Sequence, residues 1–279
     1  MRYLSWEVIQ IITSKLIIIS LFLVIVTMID TLAYSTRISG VRVKLIATAI
    51  SLFSTLVIVS RFSTMIQQPL TAKLIVEAPK MDKLSYIEDQ YRILIAVTSL
   101  GVLLGIFLFP AFINIFSRAI IGLSNEKGSL FTLFKKQFNL KGMKNILRCF
   151  RLPKWHYLHD ITFKTIPKRL FMINILITAV FTTGVLSSIY ASMLVPSDYA
   201  QTALMSSGII NGIATLLLTL FIDPKVSVLA DRVIKKQVDY VYLKSYSLTM
   251  ISSKFFGTLL AQLLFVPAAY YVAWFAEWI

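Results

Sequence analysis

An acid inside a long apolar run is a costly placement, and the stretch "TMIDTLAYSTRISGVR" has one at Asp30. Helical spacing puts Thr27 at i−3, Tyr34 at i+4 and Arg37 at i+7 on roughly one face, so a carboxylate, a phenol and a guanidinium follow in order. Insertion scales charge about 2.5 to 3.5 kcal/mol for an acid near the bilayer centre, so Asp30 should face the bundle or water. Two chemistries fit. Asp30 either pairs with a buried cation and locks two helices together, or it lies on a transport path, where it takes a proton or resets Arg37.

Other polar side chains recur at helical spacing. In "SSGIINGIATLLLTLFIDPK", Asn211, Thr215, Thr219 and Asp223 come every four residues. Asp223 precedes Pro224, which predicts that the helix ends there, at the interface. In "SRFSTMIQQPLTAK", Arg61 either anchors a helix end on the outer side or offers its planar fork to the phosphate oxygens of an anionic headgroup. After Pro110, Asn114 and Arg118 share a face, with Arg118 expected to snorkel at the cytoplasmic surface.

Enzyme chemistry has a thinner basis. The two histidines fall in "HYLHD" as His156 and His159 beside Asp160, without a His-Glu-x-x-His zinc pattern, and the segment reads as interfacial. One cysteine, Cys149, excludes an internal disulfide framework and gives no sign of a metal cluster. Direct ATP use is not expected, because no Gly-rich phosphate loop of Walker type occurs. No cofactor or metal is expected.

The elements that must position these residues are membrane helices. The chain has 279 residues, 57% hydrophobic and 15% charged, with its apolar residues in stretches long enough to cross a hydrocarbon core about 30 Å thick. Six spans fit, near 16–34, 43–60, 93–116, 170–190, 203–222 and 255–274, in one all-α, polytopic transmembrane domain covering 1–279. Counted from Leu16, Asp30 lies roughly 20 Å along the first helix, in the cytoplasmic half. The amino terminus, carrying Trp6, is expected to be retained as a short interfacial helix.

Most of the 28 Lys and Arg residues fall after spans one, three and five, which predicts that those loops are cytoplasmic and both termini outside. Tyr270, Tyr271, Trp274 and Trp278 then match an outer aromatic belt. The loop 117–169 interleaves Lys and Arg with Phe, Leu and Trp, as amphipathic helices on an anionic membrane surface do. Anionic lipids are therefore expected partners and nucleic acid is not. Gly101 with Gly105 and Gly208 with Gly212 permit close helix packing, while Pro110 and Pro267 can bend their helices.

The blocks "IDTLAYSTRISGVR", "SRFSTMIQQPLTA" and "SGIINGIATLLLTLFIDPKVS" resemble the Amj family of bacterial lipid II flippases, the alternate to MurJ, through most of the chain. The resemblance implies movement of undecaprenyl-pyrophosphate-linked peptidoglycan precursor from the inner to the outer leaflet of the bacterial plasma membrane, with cell wall synthesis proteins as partners. Composition and spacing alone give a small polytopic transporter. On the flippase reading, Arg37 and Arg118 gather the pyrophosphate inside and Arg61 receives it outside. Asn114, Asn211 and Thr215 would line a polar groove with Tyr34 and Asp223. An ion- or proton-coupled exporter of another anionic or amphipathic solute, and a nontransporting scaffold or enzyme, are the alternatives.

Overall fold

The computed structural model describes residues 13–129, 132 and 168–279. Trp6, Cys149, the "HYLHD" segment and most of the 117–169 loop lie outside them. Among the described residues there is no strand, as a bilayer demands when every backbone polar group must be satisfied within its own segment. The helices are α1 (Ser14–Leu32), α2 (Ser35–Val43), α3 (Ile46–Glu77), α4 (Lys83–Asn125), α5 (Lys168–Ala191) and α6 (Ser197–Leu217). A π-helical turn (Leu218–Ile222), α7 (Asp223–Ile234) and α8 (Tyr240–Trp278) complete them. They form six units long and apolar enough to cross a membrane, with α1–α2 as the first and α6–α7 as the fifth.

Every spanning unit except the fourth runs well beyond its hydropathy peak. Residues 117–125, expected in a loop, are the last turns of α4. The α3 helix has 32 residues, about 48 Å, and carries Pro69 inside it rather than after it. Hydropathy marks what can meet hydrocarbon. A helix continues into water or past polar residues as long as its backbone bonds are made.

Two interruptions matter. α1 stops at Leu32 and α2 restarts at Ser35, so the first span is a broken helix whose residues Thr31 to Gly40 are all buried. Hydroxyls take up the carbonyls at the break: Ser35 Oγ donates to Leu32 O and Thr36 Oγ1 to Ala33 O, both at 2.7 Å. Such repair is what lets irregular backbone persist at membrane depth. The second interruption is the π turn before Asp223. The expected helix end at Asp223–Pro224 does not occur, because Pro224 stands in the first turn of α7, where a missing N–H costs least.

The spans are held by close approach as much as by apolar bulk. α8 packs along α5 and α4 along α1. Gly101 and Gly105 face Val24, Thr27, Met28 and Thr31 of α1, and Gly257 of α8 faces Ile175 and Thr178 of α5. Gly208 and Gly212 behave otherwise, with nothing within 4 Å of an added Cβ, so this second Gly-x-x-x-Gly spacing packs against no helix among the described residues. A methyl on Gly101 would press on Thr27 and come within 2.9 Å of Val24 O, which is backbone and cannot yield. Gly101→Ala is expected to cost about 1 to 3 kcal/mol, read as a lower thermal transition in detergent micelles. An unchanged transition would mean the α1–α4 contact is looser than described.

Large apolar residues such as Ile18, Leu21, Ile58, Phe62 and Leu263 point outward, as lipid-facing residues do. Inside, one apolar cluster gathers around Tyr34, Phe53, Phe109 and Met250, and another around Tyr91, Ile189 and Phe265. Between them the spans are polar, with Thr27 and Asp30 on α1, Ser60 and Thr64 on α3, Thr98 on α4, Thr178 and Thr182 on α5, and Lys254 and Thr258 on α8. At the far end of α8, Trp274 and Trp278 are exposed and stack at 6.4 Å.

Candidate functional site

The polar waist is built around two ion pairs. Lys254 Nζ donates to Asp30 Oδ2 and also, at 3.2 Å, to the Asp30 carbonyl, which lies two residues before the end of α1. Arg37 Nη2 donates to Asp223 Oδ1 at 2.8 Å, joining the broken first span to the π turn of the fifth. Both cations are nearly inaccessible, with side chains 7% and 3% exposed, whereas their carboxylates are 22% and 21% exposed. Tyr34, on the residues linking α1 to α2, sits between the pairs. Lys254 Nζ lies 4.7 Å and the Arg37 guanidinium 5.9 Å from the centre of its ring. The Arg37 guanidinium also stacks 3.9 Å over Phe53, which meets Tyr34 edge-on. Aromatic faces so placed hold a desolvated cation without neutralising it.

Arg61 supplies a third cation. It lies midway along α3, not at the outer end of a span, with its guanidinium 3.8 Å over Phe181 and its charge acting on Asp30. Nε and Nη1 of both Arg37 and Arg61 are buried without a hydrogen-bond partner among the described residues. The cluster therefore combines Arg37, Arg61 and Lys254 with only Asp30 and Asp223, an excess of one positive charge with unspent donors. Taking ions out of water costs several kcal/mol each even when paired, so an arrangement like this is poorly explained as a stabilising device. A cationic excess at membrane depth suits an anion that arrives and leaves.

The expected residues divide sharply. Asp30, Tyr34, Arg37, Arg61 and Asp223 come together, though Arg37 pairs with Asp223 instead of serving Asp30. Asn211 faces Gly184 on α5, and Thr215 donates back to Asn211 O at 2.7 Å within α6, so neither joins the charge cluster. Asn114 accepts from Arg42 Nη1 at 2.6 Å near the far end of α4, and Arg118 is exposed beyond it. Lys254 was missed. It stands just ahead of the most apolar part of α8, so it looked like a flanking charge, yet the helix begins fourteen residues earlier at Tyr240. A lysine followed by "FFGTLLAQLLFVPAA" on one uninterrupted helix is the signal that could have found it. The interhelical pairs Ser99–Thr258 and Asn174–Ser253 also went unseen, since hydroxyls are common on any span.

Among the described residues no group of three His, Cys, Asp or Glu could hold a metal ion. The Amj family, "Alternate to MurJ", matches residues 22–276. The chain belongs to the Amj family. A curated relative, "Lipid II flippase Amj" of Bacillus subtilis (strain 168), is 51% identical over 269 residues, covering 96% of this chain and 99% of the relative. No solved structure matches. The matched region of this Amj-family chain reaches into all six spans and includes every residue of the charge cluster, and the chain is a multi-pass membrane protein.

Proposed function

We propose that this chain is a lipid II flippase, moving the undecaprenyl-pyrophosphate-linked precursor from the cytoplasmic to the outer leaflet of the bacterial plasma membrane. The observation that carries the reading is the 51% identity, across nearly the whole of both chains, to a relative of that name. The geometry supports it. Lipid II presents a pyrophosphate and sugars on a long apolar tail, and the tail can stay in lipid while the charged part passes a cationic waist. Arg37 and Arg61 are the groups best suited to the pyrophosphate, because their forks match paired phosphate oxygens and hold unspent donors. Asp30 and Asp223 hold the cations in place between passages.

The cavity in the waist measures about 70 Å³, against the roughly 300 to 1,000 Å³ of ordinary ligand pockets. A headgroup passes only if the spans part. The break between α1 and α2 and the π turn, clamped to each other by Arg37–Asp223, are the places where that movement is cheapest. Both termini lie outside, anionic lipids border the cytoplasmic face, and cell wall synthesis proteins receive the product. Energy comes from an ion gradient or the lipid's own gradient, not from ATP. Reconstitution with labelled lipid II and, separately, labelled phosphatidylglycerol tests the reading. Faster leaflet exchange of lipid II alone is expected; equal exchange of both lipids, or of neither, contradicts it.

A further inference from the structure

The waist is too small to be where a headgroup first binds, and the ligand-sized spaces lie elsewhere. One of about 350 Å³ opens between α7 and the start of α8, lined by Pro224, Lys225, Leu229, Arg232, Tyr242 and Tyr246 among others. Lys225 and Arg232 are seven residues apart, two turns on one face of α7, and both are exposed. Among the described residues no carboxylate lines the space. Tyr246 is 3% exposed, and its hydroxyl is buried without a hydrogen-bond partner among the described residues. Tyr246 also lies within electrostatic reach of Arg37 and Asp223, and Pro224 follows Asp223 directly. The space thus runs from two surface cations to the edge of the buried cluster. A comparable space of about 380 Å³ at Arg42, Asn114 and Lys244 lacks this connection, and its arginine is already engaged by Asn114 at 2.6 Å.

We infer that the α7–α8 pocket is a loading site for a phosphorylated headgroup, with Lys225 and Arg232 taking phosphoryl oxygens and the Tyr246 hydroxyl donating to the bound group on the side nearest Arg37. The inference rests on the flippase reading for its ligand, but the shared chemistry is a diphosphate, lipid-linked or free. Side chains on α7 and α8 hold the group while the waist is closed, and opening of the Arg37–Asp223 clamp hands it inward.

The test is binding to the full chain in nanodiscs of zwitterionic lipid, with labelled lipid II in one arm and inorganic pyrophosphate in the other. Lys225→Gln/Arg232→Gln is expected to weaken lipid II binding about tenfold or more, as loss of charge-assisted hydrogen bonds does. Tyr246→Phe, which removes only the hydroxyl, is expected to weaken it about threefold with an unchanged thermal transition. If both variants bind lipid II as wild type does, the loading site is wrong and the flippase reading stands. If wild type ignores lipid II but binds pyrophosphate through Lys225 and Arg232, the pocket stands as a diphosphate site and the flippase reading falls. Binding of neither ligand removes both.

Discussion

Lys254→Ala should destabilise the bundle by up to about 3 to 5 kcal/mol, because Asp30, only partly exposed, would be left in the bundle with its hydrogen-bonding cation gone. The same substitution removes the donor to the Asp30 carbonyl and the charge over Tyr34, so the end of α1 loses two supports. Asp30→Ala should cost a similar amount by stranding the lysine. Asp30→Asn combined with Lys254→Met should recover most of that stability, since a neutral pair of similar volume in this site loses little once neither charge is left alone. Thermal unfolding of wild type, Asp30→Asn, Lys254→Met and the Asp30→Asn/Lys254→Met protein in matched micelles gives the coupling directly. Strictly additive losses would show that the two side chains do not depend on each other. Lipid II exposure should remain impaired in the stable double variant if Asp30 serves passage. A normal rate there would assign Asp30 to structure alone.

The Arg37–Asp223 clamp carries the second large effect. Arg37→Gln is expected to slow lipid II exposure about ten- to a hundredfold, the loss that goes with one charge-assisted contact to a passing anion. Exchanging the charges, Arg37→Asp with Asp223→Arg, keeps the link between the α1–α2 break and the π turn but moves the cation to the other helix. The exchanged protein should therefore unfold near the wild-type temperature and still transport slowly. Transport at the wild-type rate would mean that the clamp matters and the position of the guanidinium does not.

What was legible in the sequence follows from how each residue signals itself. The six spans and the all-helical fold were plain, because a bilayer forces long apolar helices and nothing else competes. Asp30 was legible because a carboxylate among "LFLVIVTMI" has no ordinary reason to be there. Its partner was not, since which helix faces which is a matter of packing between distant segments, and Lys254 shares no local pattern with Asp30. Arg61 was assigned to the outer end because hydropathy falls after Ser60, although α3 continues for sixteen more residues beyond Arg61. The four-residue stripe from Asn211 to Asp223 misled for a related reason. The π turn shifts the register between Leu218 and Ile222, so Asp223 meets Arg37 while Asn211 remains against α5.

The most direct test of the buried cationic waist is lipid II exposure in proteoliposomes carrying wild type or Arg37→Gln/Arg61→Gln, at equal insertion and equal helical content. Wild type should expose labelled lipid II well above empty liposomes, and the double variant should fall to the empty-liposome rate. A double variant that works as fast as wild type would contradict the account, because the headgroup would then cross without the only two arginines held in the waist among the described residues.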